Sequence, residues 1–193
     1  MPFLTSPVLP AGTFARAAQP TMPTGDGLLL RPWTPEDAPV VHDVFQDPVM
    51  HQWHARAAES ESEAAGWIEE WCAAWAADRE AQWAVADADT GRLVGRVALR
   101  EVRFEDGAAE VAYWTAPAAR GRGVASRATT ALVHWAFEDT GFHRLELLHS
   151  VRNGASCRVA TRTGFALEGT KRSSGLHADG WHDMHLHARV RGD

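Results

Sequence analysis

The sequence predicts an α/β fold in which helices flank a mixed sheet, an antiparallel meander coming first and a parallel crossover after it. Three observations predict it. β-type runs at 82–87, 92–102 and 109–115 are joined by short turn signals, apolar residues recur with helical spacing between Gly123 and Thr140, and strand and helix patterns alternate after that.

Taken in order, the opening 1–25 holds Pro2, Pro7, Pro10, Pro20 and Pro23, with neither a basic start nor a long apolar stretch. It reads as a mobile, disordered Pro-rich extension before a single domain at 26–193, and not as a secretory signal. The apolar run 27–31 stops at Pro32, and Thr34, Pro35, Glu36 and Asp37 mark a helix start. That helix should run to about Phe45, where Asp47 and Pro48 break it. The charged cluster 59–63 opens a second helix reaching Trp75, whose tryptophans at 67, 71 and 75 lie on one face. Packing on the sheet accounts for that stripe, and lining a substrate site is the alternative.

The turn Asp89-Thr90-Gly91 joins the first two meander strands, and Asp106-Gly107 leads into the third, which ends before Pro117. The helix from Gly123 to Thr140 carries apolar residues at 124, 128, 131, 132, 135 and 136 and stops at Gly141. A strand at 145–151, a short helix at 155–163 ended by Gly164, and two closing strands around 171–180 complete the chain.

With 193 residues, 45% of them apolar, the chain can bury a sizeable core. No run of about 18 uncharged apolar residues occurs, so a transmembrane helix is not expected and a soluble protein is. Cys72 and Cys157 are the only cysteines and show no framework spacing, which suits a reducing cytoplasm. The net charge of −6 argues against nucleic-acid binding, and it suits a cationic substrate or ordinary solubility.

The chemistry concentrates at Arg120-Gly121-Arg122-Gly123-Val124-Ala125-Ser126, after a strand and at the start of the best helix. First-turn amides lack partners, the helix dipole adds positive charge, and small residues admit a pyrophosphate close to the backbone. Arg122 and Arg127 can add charge. A glycine-rich turn that only leads the chain into a helix is the plainer alternative.

Arg120 with Gly123 and Ala125 resembles the pyrophosphate-binding pattern of GNAT acetyltransferases, where Arg or Gln precedes two small residues. The similarity extends over 27–190. Segments around Leu30 to Asp37, Tyr113 to Trp114 and Gly164 to Gly169, and the closing Trp181-His182-Asp183, resemble the RimJ/RimL branch, which acetylates ribosomal-protein N-termini. The resemblance implies acetyl-CoA in a cleft between two parallel strands ending at Trp114 and Val151, with Val111, Ala112 and Tyr113 lending backbone amides there. It also implies that Asn153 contacts the pantetheine arm and that a residue near the following helix start, Ser156, assists the departing thiolate. Simple helix capping by Asn153 and Ser156 is the alternative.

Glu110 stands where related acetyltransferases often carry a glutamate, and acting through water it is the candidate base for the attacking amine. An exposed strand glutamate is the alternative. Alternation points Glu110 and Tyr113, the sole tyrosine, to opposite faces, and Tyr113 is expected to be structural. His182 can hold or deprotonate the substrate, or lie at the surface. No metal site is expected: alternation separates His182 from His185 and His187, no cysteine lies nearby, and the spacing fits no tight zinc pattern. Cys157 has no obvious base, so direct attack in a ternary complex is expected rather than an acyl-enzyme. The acceptor is a protein N-terminal α-amine or a small amine such as an aminoacyl compound or antibiotic, and a non-catalytic acyl-CoA sensor is the reading from another class. A homodimer suits the family.

Overall fold

The structure is a computed structural model that describes residues 4–54 and 56–193. β1 (Met22–Pro23) pairs with β2 (Leu28–Arg31), whose last residue starts the first helical segment by charge. Two nitrogens of the Arg31 guanidinium each donate to buried Asp37 at 2.7 Å, and the amide of Thr34 donates to the same carboxylate at 3.0 Å. A 3-10 turn, Pro35–Asp37, therefore leads cleanly into α1 (Ala38–Val44).

The Asp47-Pro48 break expected after α1 is also a beginning. Asp47 accepts from the amide of Val49 at 2.9 Å and caps α2 (Pro48–Trp53), with proline at the first helical position. α3 (Glu61–Ala76) is capped by Ser60, which accepts from Glu63 at 3.2 Å.

β3 (Ala81–Asp87), β4 (Leu93–Arg103) and β5 (Ala108–Thr115) form the expected meander. α4 (Val124–His134) continues as a wider i→i+5 turn over Trp135–Thr140, closed by Gly141 at φ +92°. β6 (Arg144–Ser150), α5 (Gly154–Arg162), β7 (Ala166–His177) and β8 (Gly180–Val190) follow. The sheet order is β1-β2-β3-β4-β5-β6-β8-β7, and every neighbouring pair is antiparallel except β5 with β6. The fold is α/β with a mixed sheet, as the sequence predicts. No helix among the described residues is long and apolar enough to cross a membrane.

Two cores lie on the two faces. One joins Trp83, Val97 and Val111 of the sheet to Val124, Ala128 and Leu132 of α4, and the other packs Trp33, Phe45 and Trp114 against α1 and α3. The three tryptophans of α3 serve both: Trp67 and Trp71 meet Phe45 and Trp33 with ring centroids 5.1 and 4.7 Å apart, while Trp75 stacks on Phe14 at 5.1 Å.

That last contact corrects the mobile extension expected of 1–25, for the part that is described. Phe14 is fully buried among Trp75, Phe104, Trp135 and Phe142, and Leu9 is 3% exposed. The indoles of Trp75 and Trp83 donate to the carbonyls of Ala17 and Pro20 at 2.9 and 2.8 Å. The segment forms a strap, turned over 11–16, whose backbone groups find partners in the domain, and two apolar anchors supply the burial that orders it.

Candidate active site

β5 and β6 pair only over Ala108–Arg144, Ala109–Leu145 and Glu110–Glu146. Beyond that they part, and the opening becomes a cleft of about 550 Å³. Tyr113, Trp114 and Thr115 form its β5 wall, the first turn of α5 with Asn153, Ala155 and Ser156 the facing wall, and α2 with Met50, Trp53 and His54 a third side.

The mouth is formed by Arg120 to Ser126. Gly121 and Gly123 have φ of +76° and +75°, a conformation that favours glycine, and nothing lies within 4 Å of where a Cβ would sit on Gly121. Gly123 is the N-cap of α4 and brings no side chain to its first-turn amides, so Val124, Ala125 and Ser126 present uncapped donors and a positive helix end. Arg120 reaches Asp47 at 2.5 Å, and its Nη2 is buried without a partner among the described residues. Arg122 is exposed and does not wall the cleft. Arg127 is drawn the other way, donating to the carbonyl of Asp26 at 2.8 Å. The charge expected from these two arginines comes instead from Arg158 and Arg162, one helical turn apart on the α5 wall.

Asn153 caps α5, accepting from the amide of Ser156 at 3.0 Å, so the capping role weighed from the sequence is present and it sets both side chains at the cleft wall. Tyr113 and Glu110 point apart, as alternation requires. Tyr113 is corrected from a structural residue to a wall of the cleft, its phenol donating to the carbonyl of Ser156 at 3.4 Å. Burial pushes its pKa up to about 12, so it stays a neutral donor. Val111 is buried in the core, and neither it nor Ala112 lines the cleft with its side chain.

Glu110 sits at the crotch where the strands separate and is not a cleft wall. Its cross-strand partner Arg100 donates to Oε1 through Nε at 3.1 Å and Nη2 at 2.6 Å. His182 is neither at the surface nor at the cleft: it is 2% exposed, within 2.8 Å of the Ser150 hydroxyl and 2.7 Å of Asp179. This network pins the end of β6 to the closing hairpin.

His54 is a cleft residue that the sequence does not single out. Burial first, and then the charges of Arg96, Arg100 and His177, lower its pKa to about 4, and the imidazole is neutral near pH 7. The only signal for it is Asp47-Pro48, which read as an N-cap and N1 pair would reveal the helix that carries His54 at its end.

A sheet that parts at its one parallel pair, with an uncapped helix end at the opening, is the arrangement expected from the resemblance to GNAT acetyltransferases. Residues 27–166 match the family model described as Acetyltransferase (GNAT) domain, and the chain belongs to that family. It is 31% identical over 98 residues to the ribosomal-protein-serine acetyltransferase of Escherichia coli (strain K12), an alignment covering 51% of this chain and 55% of that relative, so the chain spans about half its length. It is 28% identical over 148 residues to the uncharacterised N-acetyltransferase YoaA of Bacillus subtilis (strain 168), covering 76% and 84%. Among solved structures, the ribosomal L7/L12 α-N-protein acetyltransferase RimL in complex with coenzyme A superposes with a TM-score of 0.83 at 20% identity, over 89% of this chain and 98% of that one. At that identity the likeness is one of fold.

Proposed function

We propose that the chain transfers the acetyl group of acetyl-CoA to a primary amine, and that the acceptor is a protein N-terminal α-amine. The observation that carries this reading is the placing of the uncapped first turn of α4 at the mouth of the cleft between β5 and β6. The open space over Gly121 and the unpartnered Nη2 of Arg120 fit a pyrophosphate there. The names of the relatives support the choice of acceptor.

In this scheme the amides from Gly121 to Ser126 hold the pyrophosphate, with charge from Arg120, Arg158 and Arg162. Bound acetyl-CoA supplies the activated acyl carbon, and the backbone amide of Tyr113, on the β6 side of β5 beyond the last pairing, polarises its carbonyl. The amine reaches the site as an ammonium ion with a pKa near 7.7 to 8. Glu110 takes its proton through a water on Oε2, the oxygen that Arg100 leaves free. The nitrogen then attacks and the C–S bond breaks; the proton that the nitrogen sheds passes through water to the departing thiolate, which the Ser156 hydroxyl steadies by a hydrogen bond. A reducing cytoplasm suits the two free thiols.

The test is thioester loss and free-thiol release from acetyl-CoA with peptides beginning Ala, Ser or Thr, alongside a panel of small amines. Peptide turnover supports the proposal. Turnover of small amines alone moves the acceptor to a small molecule, binding without turnover makes the chain an acyl-CoA sensor, and absence of acetyl-CoA binding overturns the reading.

A further inference from the structure

Behind the α5 wall, four side chains converge that the proposed acetyl transfer does not use. His149 of β6 and His185 of β8 are directly opposite each other in the antiparallel pair, and His187, opposite Leu147, is the diagonal neighbour on the same face. Their rings lie 5.1 to 6.0 Å apart. Cys157 comes down from the first turn of α5, and one ligand atom from each of the four residues falls within 4.8 Å of all the others. The alternation that sets His182 apart from His185 and His187 holds. The premise that no cysteine lies nearby does not, because α5 folds back onto the strands and brings one.

The hydrogen bonds determine which nitrogens are free. The Nδ1 of His149 is 2.8 Å from the carbonyl of Ser150, and the Nδ1 of His187 is 3.3 Å from that of Phe165. A carbonyl only accepts, so each Nδ1 carries the proton and each Nε2 presents a lone pair. Those two Nε2 atoms and the Nδ1 of His185 are buried and have no partner among the described residues. His149 is 5% exposed and His187 2%. Three buried imidazole nitrogens without partners, aimed together beside a thiol, are costly unless something accepts their lone pairs.

We propose that His149, Cys157, His185 and His187 bind one Zn²⁺ ion in a tetrahedral site of three nitrogens and one sulfur. Zn–N and Zn–S bonds of about 2.0 to 2.3 Å put ligand atoms about 3.3 to 3.8 Å apart, so closing the cluster takes small rotations of the side chains. Carbonyls holding the far nitrogen of two histidines are the usual outer support of a zinc site. On binding, the Cys157 thiol releases its proton to solvent and ligates as thiolate. Four protein ligands leave no open position, which makes the ion structural. It ties α5 to β6 and β8, and so holds in place the helix turn that carries Asn153 and Ser156.

The experiment uses the full chain, stripped with a chelator and titrated with Zn²⁺ against a chromophoric competitor, and separately with Co²⁺. The expected results are one ion per chain, a tetrahedral cobalt spectrum with a thiolate-to-metal charge-transfer band, and a higher Tm with metal. Cys157→Ser should abolish that band, and His185→Gln should weaken Zn²⁺ binding by at least about tenfold. Where a variant fails to fold, the cobalt spectrum of the unaltered chain decides. Uptake well below one ion per chain, an octahedral spectrum without the thiolate band, or variants that bind as the parent does would each overturn the site and leave a buried water as the partner of these nitrogens.

Discussion

Arg120 and Asp47 meet at 2.5 Å, and the same carboxylate caps α2 through the amide of Val49. One acidic group thus joins α2, the third side of the cleft, to the turn in front of α4. The Val49 amide first, and then Arg120, hold the Asp47 carboxyl below its ordinary range. Its folded-state pKa is lowered, so the stabilisation is present above about 3.8 and is lost as pH falls through the lower folded value, well away from neutral assays. The Nη2 of Arg120, buried and without a partner among the described residues, is the donor that the proposed function assigns to a phosphate. Arg120→Ala is expected to weaken acetyl-CoA binding about tenfold in calorimetry, with the backbone amides retaining the rest. Unchanged affinity would show that the guanidinium serves only α2.

Phe14 is fully buried in a box of aromatic rings 60 and more residues away along the chain, and its amide donates to Asp78 at 2.7 Å. Truncation there leaves a cavity that Trp75 and Trp135 cannot readily fill. Phe14→Ala should lower the unfolding free energy by about 3 to 5 kcal/mol, read as a lower urea midpoint at unchanged m. A loss under about 1 kcal/mol would mean that the strap is held by its hydrogen bonds alone.

These two sites separate what the chain states locally from what it does not. The meander, the helix stop at Gly141 and the turn at Gly121 and Gly123 were legible because turn chemistry and helix termini are written in neighbouring residues. α2 was missed because Asp47-Pro48 ends one helix and starts another with the same two residues. Leu9 and Phe14 carry no periodicity, and their partners come from remote elements, so nothing local marks them as anchors. His54 and the Cys157 cluster share that character: a helix end and a folded-back helix supply the neighbours, and spacing along one strand cannot express it.

At Glu110 the expected effect lies on the rate. Glu110→Gln keeps the shape and one acceptor for Arg100 but cannot take a proton, so kcat/KM should fall by about 10²- to 10⁴-fold. The deficit should narrow as pH rises above the acceptor amine's own pKa, because the amine then arrives neutral. Ser156→Ala should cost about tenfold, since water can replace a hydroxyl donor near the thiolate. A Glu110→Gln enzyme as fast as the parent at neutral pH, or one with a deficit independent of pH, would move the base elsewhere.

His54 makes stability depend on pH in a direction opposite to that of a salt-bridged histidine. Its folded pKa is about 4 against an ordinary 6.5, because burial and the charges of Arg96, Arg100 and His177 resist protonation. Above about 6.5 both folded and unfolded chains carry it neutral, and it contributes nothing. As pH falls below that value the unfolded chain takes up a proton that the folded chain refuses, so stability declines, and the decline levels off below the folded pKa. Between about pH 7 and about pH 5 the loss from this one group should be about 2 kcal/mol. Urea unfolding at the two pH values measures it, and His54→Gln, which has no titrating proton, should show a difference smaller by that amount. An equal loss in both proteins would mean that the imidazole stays hydrated in solution and that the third side of the cleft is wetter than its packing indicates.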